Sequence, residues 1–419
     1  MNRITRLSCV IAVALMAASV GLGGEPPARQ LTLDQALQEA SARSPSLAAQ
    51  RALLEQTEGR LVTAKTYPHD PALIFEGANR EGAGESSTDH GVKVTQVIEI
   101  GGQRRRRVAQ ASAELDSARA NFQREERLIA AEVRAMFVEA IRARELLEVE
   151  QANTELARSL AEVARKRFEA GSVPQMEVNL AQVQVGRAER GLRLEKGAYE
   201  VACATLGEVI GLDPAHPPEP IGKLDLPPRP SASLSDLVEG ALRHRADLEA
   251  FRTAVKATRA RIDLARRDVV PNLAVEAFYG REEGTDRLLG GEIGIRIPLF
   301  NRNRGPIAEA RSAERQAIAD TEAARLRVRR EVVATRAQYD AFSEASSNLQ
   351  QHVLGTLEDN LLLLQLSFEA GKTGWTEVLV FRREFVDIQR DYIDTLADAR
   401  LAGIALDLAT GVPASTPHR

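Results

Sequence analysis

The sequence predicts a mainly α-helical chain that carries part of a membrane β-barrel, built as a duplicated helix–strand–strand–helix–helix unit. Three observations predict it. Arg167-Phe168-Glu169-Ala170-Gly171 returns as Ser367-Phe368-Glu369-Ala370-Gly371, and Leu33, Leu47, Pro68 and Ile98 pair with Leu234, Leu248, Pro271 and Ile297, all about 200 residues apart. That spacing far exceeds the roughly 20–50 residues of a solenoid repeat, so a domain-sized unit is repeated. Each unit holds two strand-length segments of alternating polarity, and each continues into a proline-free stretch with apolar residues in steps of three and four.

Before the first unit, Arg3 and Arg6 precede an apolar run from Leu7 to Leu22 that ends in small residues ahead of Glu25-Pro26-Pro27. This reads as a secretory signal peptide over residues 1–23, too short and poorly flanked for a spanning helix. Cys9 lies inside it, with Arg6 where a lipidation motif needs an aliphatic residue. The mature chain keeps one cysteine, Cys203, among apolar neighbours, so no intrachain disulfide forms. The net charge of -4 becomes -6 once Arg3 and Arg6 are removed, which argues against nucleic-acid binding.

The first unit spans residues 31–212. Its opening helix starts at Thr32-Leu33 and is expected to run to about Tyr67, where Pro68 and Pro71 stop it. Strands follow at about 71–79 and 91–100, separated by a Gly-, Ser- and Glu-rich loop. In the second strand Val92, Val94, Gln96, Ile98 and Ile100 face one way, and Lys93, Thr95, Val97 and Glu99 the other. The second unit, residues 234–412, sets Leu273, Val275, Ala277, Tyr279, Ile293, Ile295, Ile297 and Leu299 against Glu276, Glu292 and Arg296.

From Gln103 to about Ala170 a heptad seam runs through Val108, Ala111, Leu115, Ala118, Phe122, Ile129, Val133, Met136 and Ala140. The second unit repeats it with Val328, Val332, Thr335, Tyr339, Phe342, Ser346, Leu349 and Val353. A helix of about 65 residues is roughly 100 Å long. Return helices are expected over about 173–211 and 373–411, a Pro-rich linker over 213–233, and a short tail over 413–419.

Strands of nine or ten alternating residues in a secreted chain match tilted outer-membrane strands. Four cannot close a barrel, since single-chain barrels begin at about eight, and open edges are not tolerated in lipid. Three copies supply twelve. A pair of soluble hairpins packed on the helices gives the same alternation.

The duplicated unit, the start Leu33-Asp34-Gln35-Ala36-Leu37 with Ser44-Pro45-Ser46-Leu47, the tips at Phe168–Gly171 and Phe368–Gly371, and the closing Leu206-Gly207-Glu208-Val209-Ile210-Gly211 together resemble the TolC family of outer membrane factors. The resemblance covers nearly the whole mature chain. Gln96 to Arg104 and Pro298 to Gly305 are similar to the branch serving heavy-metal pumps of the cobalt–zinc–cadmium type. Many members of that branch carry a lipidated cysteine after the signal; none follows here.

The resemblance implies a homotrimer in the outer membrane of a Gram-negative bacterium: a twelve-stranded barrel continued by a periplasmic coiled-coil tunnel. It implies a passive duct that takes substrate, divalent heavy-metal cations, from an inner-membrane RND-type pump through a periplasmic adaptor (membrane fusion) protein. Phe168, Gly171, Phe368 and Gly371 are the implied adaptor contacts. The family's entrance is held by a pair of acids beyond the tip; Glu377 matches the first, Val380 replaces the second, and Glu177 is the repeat-related residue.

Beside Glu377, the last helix carries Glu384, Asp387, Asp391, Asp394 and Asp398 in steps of three and four, a face that either lines the tunnel or is solvated and balanced by arginines. Arg104, Arg105, Arg106, Arg107, Arg302 and Arg304 begin the long helices at the inner barrel rim, within reach of outer-membrane lipid phosphates or a neighbour's carboxylates, or simply solvated. The histidines are scattered, methionine after the signal is limited to Met136 and Met176, and Gly101-Gly102 lacks a phosphate-loop context. No catalytic residue, metal site or cofactor is expected. An outlet for drugs, other organic compounds or secreted protein is the alternative cargo reading. A soluble periplasmic coiled-coil scaffold is the rival of another class.

Overall fold

Pro45 divides the opening helix in two. In the computed structural model, which describes residues 29–81, 86–226, 231–282, 286–351, 360, 363–364, 366–368, 370 and 372–411, helix α1 covers Leu33–Arg43 and α2 covers Pro45–Lys65. The signal peptide, the tail over 413–419 and Gly371 lie outside the described residues. Thr32 caps α1 reciprocally: its hydroxyl accepts from Gln35 N–H at 3.4 Å, while Gln35 Oε1 accepts from Thr32 N–H at 2.9 Å. Proline disfavours helical backbone in the residue before it, and Ser44 sits at φ -56, ψ 122. The single helix expected to Tyr67 is therefore two.

The second unit breaks at the same place without a proline. Helix α5 is Leu234–His244 and α6 is Ala246–Arg267, separated by Arg245 at φ -67, ψ 130. Arg245 binds Asp247 at 2.6 Å and Glu331 at 2.6 Å, and donates to the Ala409 carbonyl at 3.2 Å. Burial works against both charges, yet the hydrogen bonds win: Arg245 is held above and Asp247 below its ordinary value.

Helix α3 runs unbroken over Gln103–Glu169, 67 residues. Ala111, Leu115, Ile129, Val133 and Ala140 of the expected seam are buried, and Phe137 and Ile141 join them. Helix α4 is Gln175–Ile210, α7 is Arg304–Leu349 and α8 is Trp375–Thr410. Val328, Val332, Tyr339 and Ser346 of the second seam are buried; Val353 lies outside the described residues. The main core gathers Ala36, Leu47, Val133, Phe137, Ile141, Leu206, Ile210 and Leu396 at the waist.

Part of the linker is stitched down. Strand β4 (Glu219–Pro220) pairs in parallel with β1 (Gln30–Leu31), and Leu224 enters the waist core. Arg144 donates to the carbonyls of Pro220, at 2.8 Å, and Gly222, and Glu145 accepts from Leu224 N–H at 3.1 Å. Burial nonetheless pushes the Glu145 carboxyl up.

One four-stranded antiparallel sheet unites the two repeats in the order β2-β3-β5-β6, from Ala72–Glu81, Ser86–Ile98, Leu273–Glu282 and Asp286–Ile295. Strand β3 starts earlier than expected because polar side chains extend the ladder: Thr88 donates to Asn79 Oδ1 at 3.2 Å, and Arg80 meets Asp89 at 3.0 Å. Strand β6 ends at Ile295, short of the expected Ile297 and Leu299, ahead of Pro298, which has no N–H to give a ladder. No described helix is long and apolar enough to cross a membrane.

Candidate functional site

Register decides what the sheet offers. Phe75 lies opposite Val92, Val92 opposite Tyr279, and Tyr279 opposite Leu289; one level away, Leu73, Val94, Ala277 and Gly291 align. Val275 and Ile293 extend the same face. That face is apolar and uncovered: Phe75 is 77% exposed, Leu289 80% and Ile293 72%. The other face is charged. Lys93 reaches Glu76 at 2.7 Å and Glu276 at 3.8 Å, and Thr95 donates to Glu276 at 2.9 Å. Glu276 lies directly opposite Glu292, an arrangement of like charges that Lys93 and Thr95 offset on one side only. Strands β2 and β6 each have one partner strand among the described residues, so both outer edges are open.

The rim arginines divide into two sets. Arg104 donates to the Lys65 carbonyl at 2.7 Å, Arg106 pairs with Asp263 at 2.8 Å, and Arg107 pairs with the buried Glu99 at 3.0 Å. These three fasten α3 to its neighbours. Arg105, Arg302 and Arg304 are exposed and have no partner among the described residues.

At the far end of the helices the two tips share a turn and differ in their phenylalanines. Gly171 takes φ 71, with Ser172 N–H donating to the Arg167 carbonyl at 2.8 Å. The second tip repeats that bond from Lys372 N–H to the Ser367 carbonyl at 2.8 Å. Phe168 is 39% exposed, whereas Phe368 is 0% exposed. Phe368 packs with Leu160 and Ala164 of α3, Ala181 of α4, and Trp375 and Val378 of α8; its ring lies 5.5 Å from that of Trp375. The Arg167 guanidinium sits 5.0 Å from the Phe368 centroid, so the first tip covers the second. Phe368→Ala is accordingly expected to cost about 3–5 kcal/mol of tip stability. Phe168→Ala should leave stability within about 0.5 kcal/mol. Limited proteolysis at the tips checks both.

The acidic residues of α8 are separated by their contacts. Glu377 Oε2 accepts from Gly374 N–H at 3.2 Å and so caps the helix start. Glu384 and Asp391 are exposed; Asp387 meets Arg383 at 3.6 Å, Asp394 meets Arg142 at 2.7 Å, and Asp398 is half-buried. Glu177, half-buried on α4, occupies the matching position of the first repeat.

Sequence reasoning missed a buried polar seam between α8 and the first hairpin. Arg382 is 8% exposed and donates to Asn153 Oδ1 at 3.2 Å and Gln184 Oε1 at 3.1 Å, with burial pulling its guanidinium down. Arg390 binds Glu150 at 3.1 Å and also Glu195. Gly191 makes room, since a Cβ there would stand 2.9 Å from Glu150 Oε2. That glycine inside a helical stretch was the available signal.

A sheet apolar on one face, charged on the other and open at both edges, carried beside a helix about 100 Å long, fits a subunit of an outer-membrane channel. The outer membrane efflux protein family matches residues 36–212 and again 237–412, once per repeat, and the chain belongs to that family. The chain is 25% identical over 384 residues to the cobalt-zinc-cadmium resistance protein CzcC of Cupriavidus metallidurans, covering 91% of this chain and 90% of the relative. It is 28% identical over 412 residues to protein CyaE of Bordetella pertussis, covering 92% and 86%. The fold is similar to the solved structure of the transmembrane channel CusC, with a TM-score of 0.75 at 16% identity, over 90% of this chain and 92% of that one. The chain is an outer membrane efflux channel, and the scaffold reading falls away.

Proposed function

We propose that three copies close a twelve-stranded barrel across the outer membrane of a Gram-negative bacterium and that the resulting duct passively exports divalent heavy-metal cations. The observation that carries this reading is the sheet itself. Its apolar face suits lipid, its edges β2 and β6 suit one another's copies, and its charged face suits a water-filled lumen. The cargo is supported by likeness to a cobalt-zinc-cadmium resistance protein, and by Glu76, Glu276 and Glu292 outnumbering Lys93 on the lumen-side face.

An RND-type pump in the inner membrane feeds the duct through a periplasmic adaptor. The adaptor meets the exposed Phe168 and the turn at Gly171, with the buried Phe368 packed behind them and Gly371 proposed as a further contact. Glu377 and Glu177 stand at the entrance, Glu384, Asp387, Asp391 and Asp394 line its approach, and Arg105, Arg302 and Arg304 touch lipid phosphates at the rim. Deleting the gene is expected to sensitise cells to cobalt, zinc and cadmium salts, and the intact gene to restore tolerance. Unchanged metal tolerance with sensitivity to organic drugs would assign the duct to organic cargo instead.

A further inference from the structure

A cavity of about 750 Å³ lies at the waist between α3 of the first repeat and α6, α7 and α8 of the second. Its size falls in the range of small-molecule sites, roughly 300–1,000 Å³. Leu128, Ala131, Ile404 and Leu408 make its walls apolar. Of its charged residues, Arg245, Asp247 and Glu331 are already bound to one another. The rest comprise four guanidiniums, Arg124, Arg127, Arg134 and Arg327, against two carboxylates, Glu126 and Asp407. This local surplus stands in a chain whose net charge is -4.

Of the four, Arg124, Arg127 and Arg327 reach solvent, and Arg134 is half-buried. Arg127 reaches only the carbonyls of His244 and Gly411, at 3.4 and 3.5 Å. Arg124, Arg134 and Arg327 have no hydrogen-bond or ion-pair partner among the described residues. Arg134 is half-buried, and burial pulls its guanidinium down; Asp407 and Asp34 act on it only through space. For Arg134, partial burial without a hydrogen-bonded partner costs free energy that an anion would recover, and the three exposed guanidiniums add charge at the cavity mouth.

We propose that this cavity binds an organic anion with a doubly charged, phosphate-monoester head and an apolar body, clamped between the two repeats. The guanidiniums supply bidentate donors to the head, and the Leu128–Leu408 walls take the body. Such a ligand joins α3 to α7 and α8 at the level where Gly411 closes the last helix.

The test is calorimetry on the purified full-length protein with inorganic phosphate, hexyl phosphate, a short-chain phosphatidic acid and hexanol as probes. Hexyl phosphate, the phosphatidic acid or both should bind saturably at one site per chain, and better than inorganic phosphate or hexanol. Binding of the two-chain probe alone assigns the site to a lipid head, and binding of hexyl phosphate alone to a soluble organic phosphate. Arg134→Gln and Arg327→Gln should each weaken binding about tenfold, and replacement of the exposed Arg51 on α2, outside the cavity, by Gln should not. Arg327 is exposed, so its replacement carries the test if Arg134→Gln fails to fold. Absence of binding by every phosphate probe, affinity unchanged in both variants, or hexanol binding as well as hexyl phosphate would overturn the proposal.

Discussion

Ile293→Arg is expected to prevent stable insertion of the channel in the outer membrane, while Glu292→Arg, one residue away, leaves insertion intact. Ile293 lies opposite Val275 on the apolar face and is 72% exposed in the protomer. A cationic side chain on the lipid face costs about 2–4 kcal/mol near the bilayer midplane, and a trimer bears it three times. Glu292 lies on the charged face opposite Glu276, so an arginine there replaces repulsion with attraction. Outer-membrane fractionation and the yield of gel-stable trimers read both outcomes. Equal yields for the two variants would mean that the faces are not divided between lipid and water.

Gly211→Val has the second large effect, and it acts at the waist rather than in the sheet. Gly211 closes α4 at φ 77, a conformation that costs a residue with a Cβ about 1–2 kcal/mol. An added Cβ would also stand 2.7 Å from the Arg43 carbonyl oxygen, and backbone at the junction of α1 and α2 cannot yield without moving the core around Leu47 and Ile210. The sum is expected to exceed about 3 kcal/mol, visible as loss of the protein from the outer membrane. Gly171→Val provides the contrast. Its φ is similarly positive, at 71, but a Cβ there meets nothing within 4 Å, so only the backbone term applies. Assembly should survive, and export alone reports on the tip.

Repeats, long helices and strand faces were legible because each is written as a period. The alternation from Val92 to Ile98 placed every side chain on its observed face, since a period of two leaves no freedom once one residue is assigned. Arg245 was not legible, because its break depends on Asp247 and on Glu331, 86 residues away. The tips divide the same way. Gly171 announces its turn locally, but the difference between Phe168 and Phe368 arises from Trp375 and from Arg167 of the other repeat. The buried seam of Arg382, Asn153 and Gln184 joins three helices, and no local pattern encodes such a meeting.

The shared barrel needs the β2 and β6 edges, which one chain cannot satisfy, to meet between copies. Cysteine pairs introduced along β2, from Ala72 to Asn79, and β6, from Gly290 to Ile295, with the buried Cys203 left in place, test this in intact outer membranes. Oxidation should link chains into covalent dimers and trimers at one antiparallel register, with alternate positions reactive. If no pair at any register links one chain to another, the edges do not meet and the shared barrel is wrong.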